Sequence, residues 1–218
     1  MKLSDLIIEE NISSTSFGTI KQVSLSENYA SRSSSKTKTF ALKCSSKQLL
    51  AESEFLHCVE NEMELLSELE SPFIVRFFTH FEDYNYMYFL LENMNGQDLS
   101  NIMNDFLNIP EECCRFYTAS IVLALEEIHS MKAAYRGLAV SSCVIIIITL
   151  LILIKSIVKP ENIMIGSNGY LKLMNFEFAK KLHRGKTFSL CGVSDYLAPE
   201  VITNEGHDWG KCSLICFT

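Results

Sequence analysis

Leu138 to Ile154 is a run of 17 residues without one charged side chain, and it includes Ile145-Ile146-Ile147-Ile148 and Leu150-Leu151-Ile152-Leu153-Ile154. Wound as a helix at ~1.5 Å per residue it would reach ~26 Å, just short of the ~30 Å hydrocarbon core of a bilayer. It is a borderline membrane span, and it alone raises the mean hydropathy of the chain above zero. The chain is therefore either held in a membrane at this point or is an ordinary soluble polypeptide with one apolar segment seated among polar neighbours.

The remainder fits the second description. With 48% hydrophobic residues among 218, disorder and disulfide-dense miniproteins are excluded, and one or two domains with a real core are expected. Lys and Arg number 19 against 26 Asp and Glu, a net charge of -7, so no basic surface invites nucleic acid. Eight cysteines, at positions 44, 58, 113, 114, 143, 191, 212 and 216, show no CxxC spacing and read as reduced thiols. Met1 to Asn11 carries Asp5, Glu9 and Glu10 and lacks the apolar stretch of a secretory signal. A cytoplasmic location is expected, with a single-pass membrane protein as the alternative.

Hydrophobic patterning predicts strands over Leu6 to Ile12, Thr19 to Leu25, Thr39 to Cys44, Phe73 to Phe81 and Tyr86 to Leu91. Leu49, Leu56, Val59, Met63, Leu66 and Leu69 recur at helical spacing and predict one helix from Gln48 to Leu69. Helices follow over Leu99 to Phe106 and Pro110 to Met131, the second with Phe116, Ile121, Leu125 and Ile128 as its inner stripe. The chain turns from β-rich to α-rich near Asn93, an α+β composition.

Motifs appear in a fixed order along this framework. Phe40-Ala41-Leu42-Lys43 follows the turn Ser16-Phe17-Gly18, Glu62 lies on the next helix, and Lys159-Pro160-Glu161-Asn162, Asn175-Phe176-Glu177 and Ala198-Pro199-Glu200 come later. Together they resemble a eukaryotic protein kinase. Arg115-Phe116-Tyr117-Thr118-Ala119, Tyr135-Arg136, Gly169-Tyr170-Leu171-Lys172-Leu173, Leu190-Cys191-Gly192 and Tyr196-Leu197-Ala198-Pro199-Glu200 narrow the likeness to the cyclic-nucleotide-dependent Ser/Thr kinases of the AGC group. The resemblance implies a bilobal fold with a β-rich small lobe over 1–92 and a partial large lobe over 93–210, followed by an unrelated tail over 211–218. The helices that complete the large lobe in the family are not recognisable here.

By the same resemblance, ATP and Mg²⁺ are the expected cofactors and a protein Ser/Thr the expected substrate. Lys43 and Glu62 would form the phosphate-positioning pair, while Gly18, Ile20, Ala41, Leu91, Glu92 and Met94 would line the nucleotide. Asp98 and Glu161 resemble acidic residues that engage ribose and basic substrate side chains, and an ordinary solvated carboxylate is the other reading of both. Lys159 and Asn162 resemble the catalytic-loop lysine and metal-binding asparagine. Ser189 aligns with the activation-loop phosphosite that would pair with Arg136, and a plain surface serine is its other reading.

The departures fall on the chemistry. Ser13 and Thr15 replace the first two glycines of the phosphate loop, leaving Gly18. Gly137 stands where the family has the aspartate that orients the substrate hydroxyl. Asn175 replaces the anionic metal ligand and Glu177 the glycine two residues on, so Mg²⁺ affinity is expected to fall. Val193 and Ser194 stand in place of a Thr-Pro pair. The resemblance thus implies a Ser/Thr protein kinase that is catalytically impaired; the alternatives are a pseudokinase fragment that binds nucleotide or a partner, and a membrane-anchored or non-functional translated fragment.

Two residues separate Arg from Lys in the family's catalytic loop, whereas here Gly137 to Val158 is 22, an insertion of 20 that contains the apolar run. A bilayer cannot pass through one kinase site, so a membrane role for 138–154 requires the kinase fold to be abandoned. A retained intron is the favoured origin, because the pattern breaks at the aspartate position and the Ile and Leu repetition suggests AT-rich DNA. Transcript sequencing that finds these codons in the dominant message would reject it.

Overall fold

The computed structural model describes residues 1–26, 38–53, 55–105, 109–135, 162–182 and 185. Within it the chain divides into two compact units. The first comprises Met1–Ser67 and Arg76–Asn93, and the second comprises Glu68–Val75 and the chain from Met94 onward.

The first unit is built on a five-stranded antiparallel sheet: β1 (Leu6–Thr15), β2 (Gly18–Leu25), β3 (Thr39–Ser46), β4 (Phe77–Glu82) and β5 (Tyr86–Glu92), in the order β1-β2-β3-β5-β4. Directly opposed residues share a face of such a sheet, and so do alternate residues of one strand. Val23 faces Phe40, Leu42 faces Leu90 and Cys44 faces Tyr88. These residues and Leu6 form one buried cluster, with Leu3, Leu25, Phe78 and Phe81 packed against it. Each such side chain contributes ~1.5 to 3 kcal/mol by leaving water, which makes this face the structural one and leaves the other for chemistry.

β1 runs three residues beyond its expected end at Ile12, to the two-residue turn Ser16-Phe17, and carries bulges between Ile8 and Glu10 and between Asn11 and Ser13. The single helix expected over Gln48 to Leu69 is instead two, α1 (Lys47–Glu52) and α2 (Leu56–Glu68). The chain leaves the helical path where the Phe55 amide donates to Leu50 O and its ring packs on Phe17 with centroids 5.2 Å apart. Leu49 and Leu56, counted in the apolar stripe, are exposed, and the buried side of α2 is Cys58, Val59, Glu62, Leu65 and Leu66.

Asp83 shapes the β4–β5 hairpin: its Oδ1 accepts from the amides of Asn85 and Tyr86 at 2.8 and 2.7 Å, and its Oδ2 from the Tyr88 hydroxyl at 2.8 Å. The Tyr88 hydrogen bond above all holds the Asp83 carboxyl below its ordinary value of 3.8. A folded-state pKa below the unfolded one means that the stabilisation is complete above pH 3.8 and is lost as pH falls through the lower folded value. Acid unfolding of Asp83→Asn, followed by circular dichroism, is expected to depend less on pH in this window than that of the parent; superimposable acid limbs would refute the assignment.

The second unit contains α3 (Leu99–Asp105) and the long α4 (Glu111–Ser130), with short strands β6 (Gln97–Asp98), β7 (Ala133–Ala134), β8 (Ile163–Ile165), β9 (Leu171–Leu173) and β10 (Lys180–Lys181). β6, β8 and β9 form one small sheet and β7 pairs with β10. Glu68–Val75 belongs here because it is bonded here. The Val75 amide donates to Leu173 O at 2.9 Å, the Leu173 amide donates to Phe73 O at 2.8 Å, and Lys181 pairs with Glu68 at 2.6 Å. The strand expected over Phe73 to Phe81 therefore starts only at Phe77, its first residues being used by β9.

On α4 the buried residues are Cys114, Thr118, Ser120, Ala124 and Ile128, so the expected inner stripe is corrected at Phe116, which is exposed, and at Ile121 and Leu125, which are half-buried. Hydrophobicity misplaces the face because its polar members satisfy themselves. The Thr118 hydroxyl donates to Cys114 O at 2.7 Å and the Ser120 hydroxyl to Phe116 O at 2.9 Å. No helix among the described residues is long and apolar enough to cross a membrane, and the run 138–154 lies outside them.

Candidate functional site

In the first unit, strand register brings the expected nucleotide-lining residues to one face. Ile20 is opposite Lys43, Gln22 opposite Ala41, and Ala41 opposite Leu91, so Ile20, Ala41, Lys43 and Leu91 lie on the side of the sheet away from the hydrophobic cluster. Lys43 reaches from this face to α2, its Nζ donating to both carboxylate oxygens of Glu62 at 2.8 and 2.7 Å. Both side chains are almost fully enclosed, 9% and 2% exposed. A buried pair with both oxygens engaged fixes the ammonium in place, which a flexible surface lysine is not.

Gly18 is required by packing alone, since a Cβ there would lie 1.9 Å from Cys44 O on the neighbouring strand. The retained glycine therefore serves the β2–β3 approach whatever binds nearby. Ser13 is opposite Ile20 and Thr15 opposite Gly18, which puts the two residues that replace glycines on the Lys43 face. The Thr15 hydroxyl is buried and has no hydrogen-bond partner among the described residues. A polar atom left in that condition costs free energy until a ligand supplies the missing bond. Sequence reasoning treated Thr15 only as a loss of glycine.

At the end of β5, the Glu92 side chain departs from the expected lining. Its register partner is Phe40, of the clustered face, and its carboxylate accepts from the Arg76 amide at 3.3 Å. Asn93 follows, its amide donating to Gln22 Oε1 at 2.9 Å and to Thr39 Oγ1 at 3.1 Å.

In the second unit, Met94 lies half-buried beside Gly166, where a Cβ would come 3.2 Å from its terminal methyl. Asp98 is the cap of α3: Oδ1 accepts from the Asn101 amide at 2.8 Å and Oδ2 from the Asn101 side chain at 2.7 Å. Its carboxylate is held by the helix start, and the Asp-x-x-Asn spacing of a cap was readable at 98–101.

Asn162 is buried, and its Oδ1 accepts from Asn175 Nδ2 at 3.2 Å. Asn175 is left-handed, φ 55°, a conformation asparagine tolerates better than most residues. Among the described residues outside glycine only Asn95, Lys132 and Asn175 have positive φ, so Glu177 occupies its place with an ordinary backbone. Phe176 between them is fully buried against the Tyr135 ring, centroids 4.8 Å apart, and the Tyr135 hydroxyl donates to Met174 O. Gly137, Lys159, Glu161 and Ser189 lie outside the described residues, as do Arg136, Val193 and Ser194.

Comparison with known proteins identifies the family. The protein kinase domain family matches residues 17–143 and 155–212, leaving 144–154 of the apolar run unmatched between the two stretches. Isozyme 2 of the cGMP-dependent protein kinase of Drosophila melanogaster is 38% identical over 79% of this chain, which covers 16% of that protein. Human cGMP-dependent protein kinase 2 is 37% identical over 78% of the chain and 20% of its own length. The cGMP-dependent protein kinase of Plasmodium berghei is 33% identical over 95% of the chain and 21% of its own length. The chain thus spans about a fifth of these relatives. It belongs to the protein kinase domain family and is similar, within it, to the cyclic-nucleotide-dependent kinases of the AGC group.

Proposed function

We propose that this chain binds ATP on the Lys43 face of its sheet and transfers the terminal phosphoryl group to protein serine or threonine only slowly. The observation that carries the binding half is the buried Lys43–Glu62 pair, which holds an ammonium ready for phosphate oxygens. The unsatisfied Thr15 hydroxyl on the same face is a further donor for a polyphosphate. The transfer half rests on sequence. At Gly137 there is no carboxylate to take the proton of the substrate hydroxyl, and general-base catalysis of this kind is worth about 10²- to 10⁴-fold.

ATP titration followed by thermal shift, with Mg²⁺ present, and a phosphotransfer assay on a basic Ser/Thr peptide test the two halves separately. Saturable binding is expected, with turnover at least about a hundredfold below that of an intact relative. Turnover at the relative's rate, abolished in Lys43→Ala, would overturn the slow-transfer half. Absence of any ATP-dependent shift would overturn the whole.

A further inference from the structure

Phe17 stands at the tip of the β1–β2 hairpin, between Ser16 and Gly18, where a small or polar turn residue is the ordinary choice. Its half-buried ring lies 5.2 Å from that of Phe55, the planes tilted by 34°. Phe55 occupies the break between α1 and α2. Its amide donates to Leu50 O and its carbonyl accepts from the Cys58 amide, both at 2.9 Å, so the backbone fixes this ring from both sides. On the hairpin, the Ser46 amide donates to Phe17 O at 2.8 Å.

The ring contact sets the direction of the hairpin. α2 lies on the Lys43 face, since Glu62 meets Lys43 there, and Phe55 immediately precedes that helix. A tip held at Phe55 is drawn toward the same face, and Thr15, two residues before Phe17, goes with it. There the Thr15 hydroxyl is buried without a partner among the described residues, a costly condition that a free hairpin would relieve by turning to water. All these residues belong to the first unit.

We propose that Phe55 is a positioning residue for the nucleotide: it latches the hairpin tip, so that the Thr15 hydroxyl is held, already stripped of water, for the phosphates. This rests on the ATP-binding reading above and deepens it. A donor ordered before the ligand arrives raises affinity, because the ligand no longer has to order it.

The test is calorimetric titration of the whole chain with ATP and with adenosine, which carries no phosphate, for the parent, Phe17→Ala, Phe55→Ala, the double variant and Phe55→Tyr. Each single alanine variant is expected to bind ATP about three- to tenfold more weakly, the range of one aromatic pair, and adenosine within about twofold of the parent. The double variant is expected to be no weaker than either single one, as for two residues that act only through each other. Phe55→Tyr keeps the ring and should bind like the parent. Without nucleotide, the Ser46 amide should exchange faster in both alanine variants. Equal losses for ATP and adenosine would mean that Phe55 only supports α2, and would overturn the inference. Losses that add in the double variant, unchanged ATP affinity or unchanged Ser46 exchange would overturn it too, with ATP binding itself intact. No ATP binding by the parent removes the underlying reading and this inference with it.

Discussion

Lys43→Ala will unfold the first unit at a much lower denaturant concentration than the parent, by about 3 to 5 kcal/mol, since it leaves the Glu62 carboxylate enclosed without its cation. Chemical denaturation measures this, and a loss below about 1 kcal/mol would show that the pair behaves like a surface ion pair. The double variant Lys43→Met with Glu62→Leu separates stability from binding. Burial of a charged pair is frequently no more stabilising than apolar packing of the same volume, so this variant is expected to unfold close to the parent. It should nevertheless show no ATP-dependent thermal shift. Recovered stability together with retained ATP binding would mean that the nucleotide does not use this ammonium.

Phe176→Ala is expected to cost the second unit about 3 to 5 kcal/mol, as a fully buried aromatic ring leaves a cavity that its surroundings only partly fill. The consequence reaches its neighbours, because Phe176 packs on Tyr135 and lies next to Asn175. Amide hydrogen exchange at Leu173 and Met174 reports the loss locally. Protection there should drop while protection in β2 and β3 stays as in the parent. Unchanged exchange at Leu173 would mean that the ring is not a keystone of this unit.

The strands of the first unit were legible because short apolar, β-branched and aromatic runs stand between polar turns, and β2, β3 and β5, the last two buried on both faces, follow them to within a residue or two. What failed has the common cause that hydrophobicity does not know its partner. Phe73 and Ile74 look like strand residues and are apolar for another reason, the contact with β9 about a hundred residues later. Phe116 looks like core and is exposed, whereas Thr118 and Ser120 look like surface and are buried with their hydroxyls turned to the preceding turn.

At the site, the pairing of Lys43 with Glu62 came from the resemblance, since spacing alone does not choose among Glu60, Glu62, Glu64 and Glu68 on the same helix; in the structure it is Glu62 that Lys43 reaches. The cap at Asp98 and the amide pair at Asn162 and Asn175 were not read in advance. The Asp-x-x-Asn spacing at 98–101 signalled the cap, whereas the amide pair depends on which partner each short polar side chain finds across 13 residues, and composition is silent on that.

The return of Glu68–Val75 to the second unit bears on how the chain is made. The sheet of the first unit has all five strands once Asn93 has been synthesised, yet the Val75 amide then lacks its native acceptor until Leu173 follows, 80 residues later. At ~5 to 20 residues per second that is a wait of about 4 to 16 s on the ribosome. During it Ile74 and Val75, nearly inaccessible in the folded chain, stay open to water and to chaperones. A nascent chain whose Asn93 has cleared the ribosome while Leu173 has not would thus present a finished sheet together with an adhesive loop.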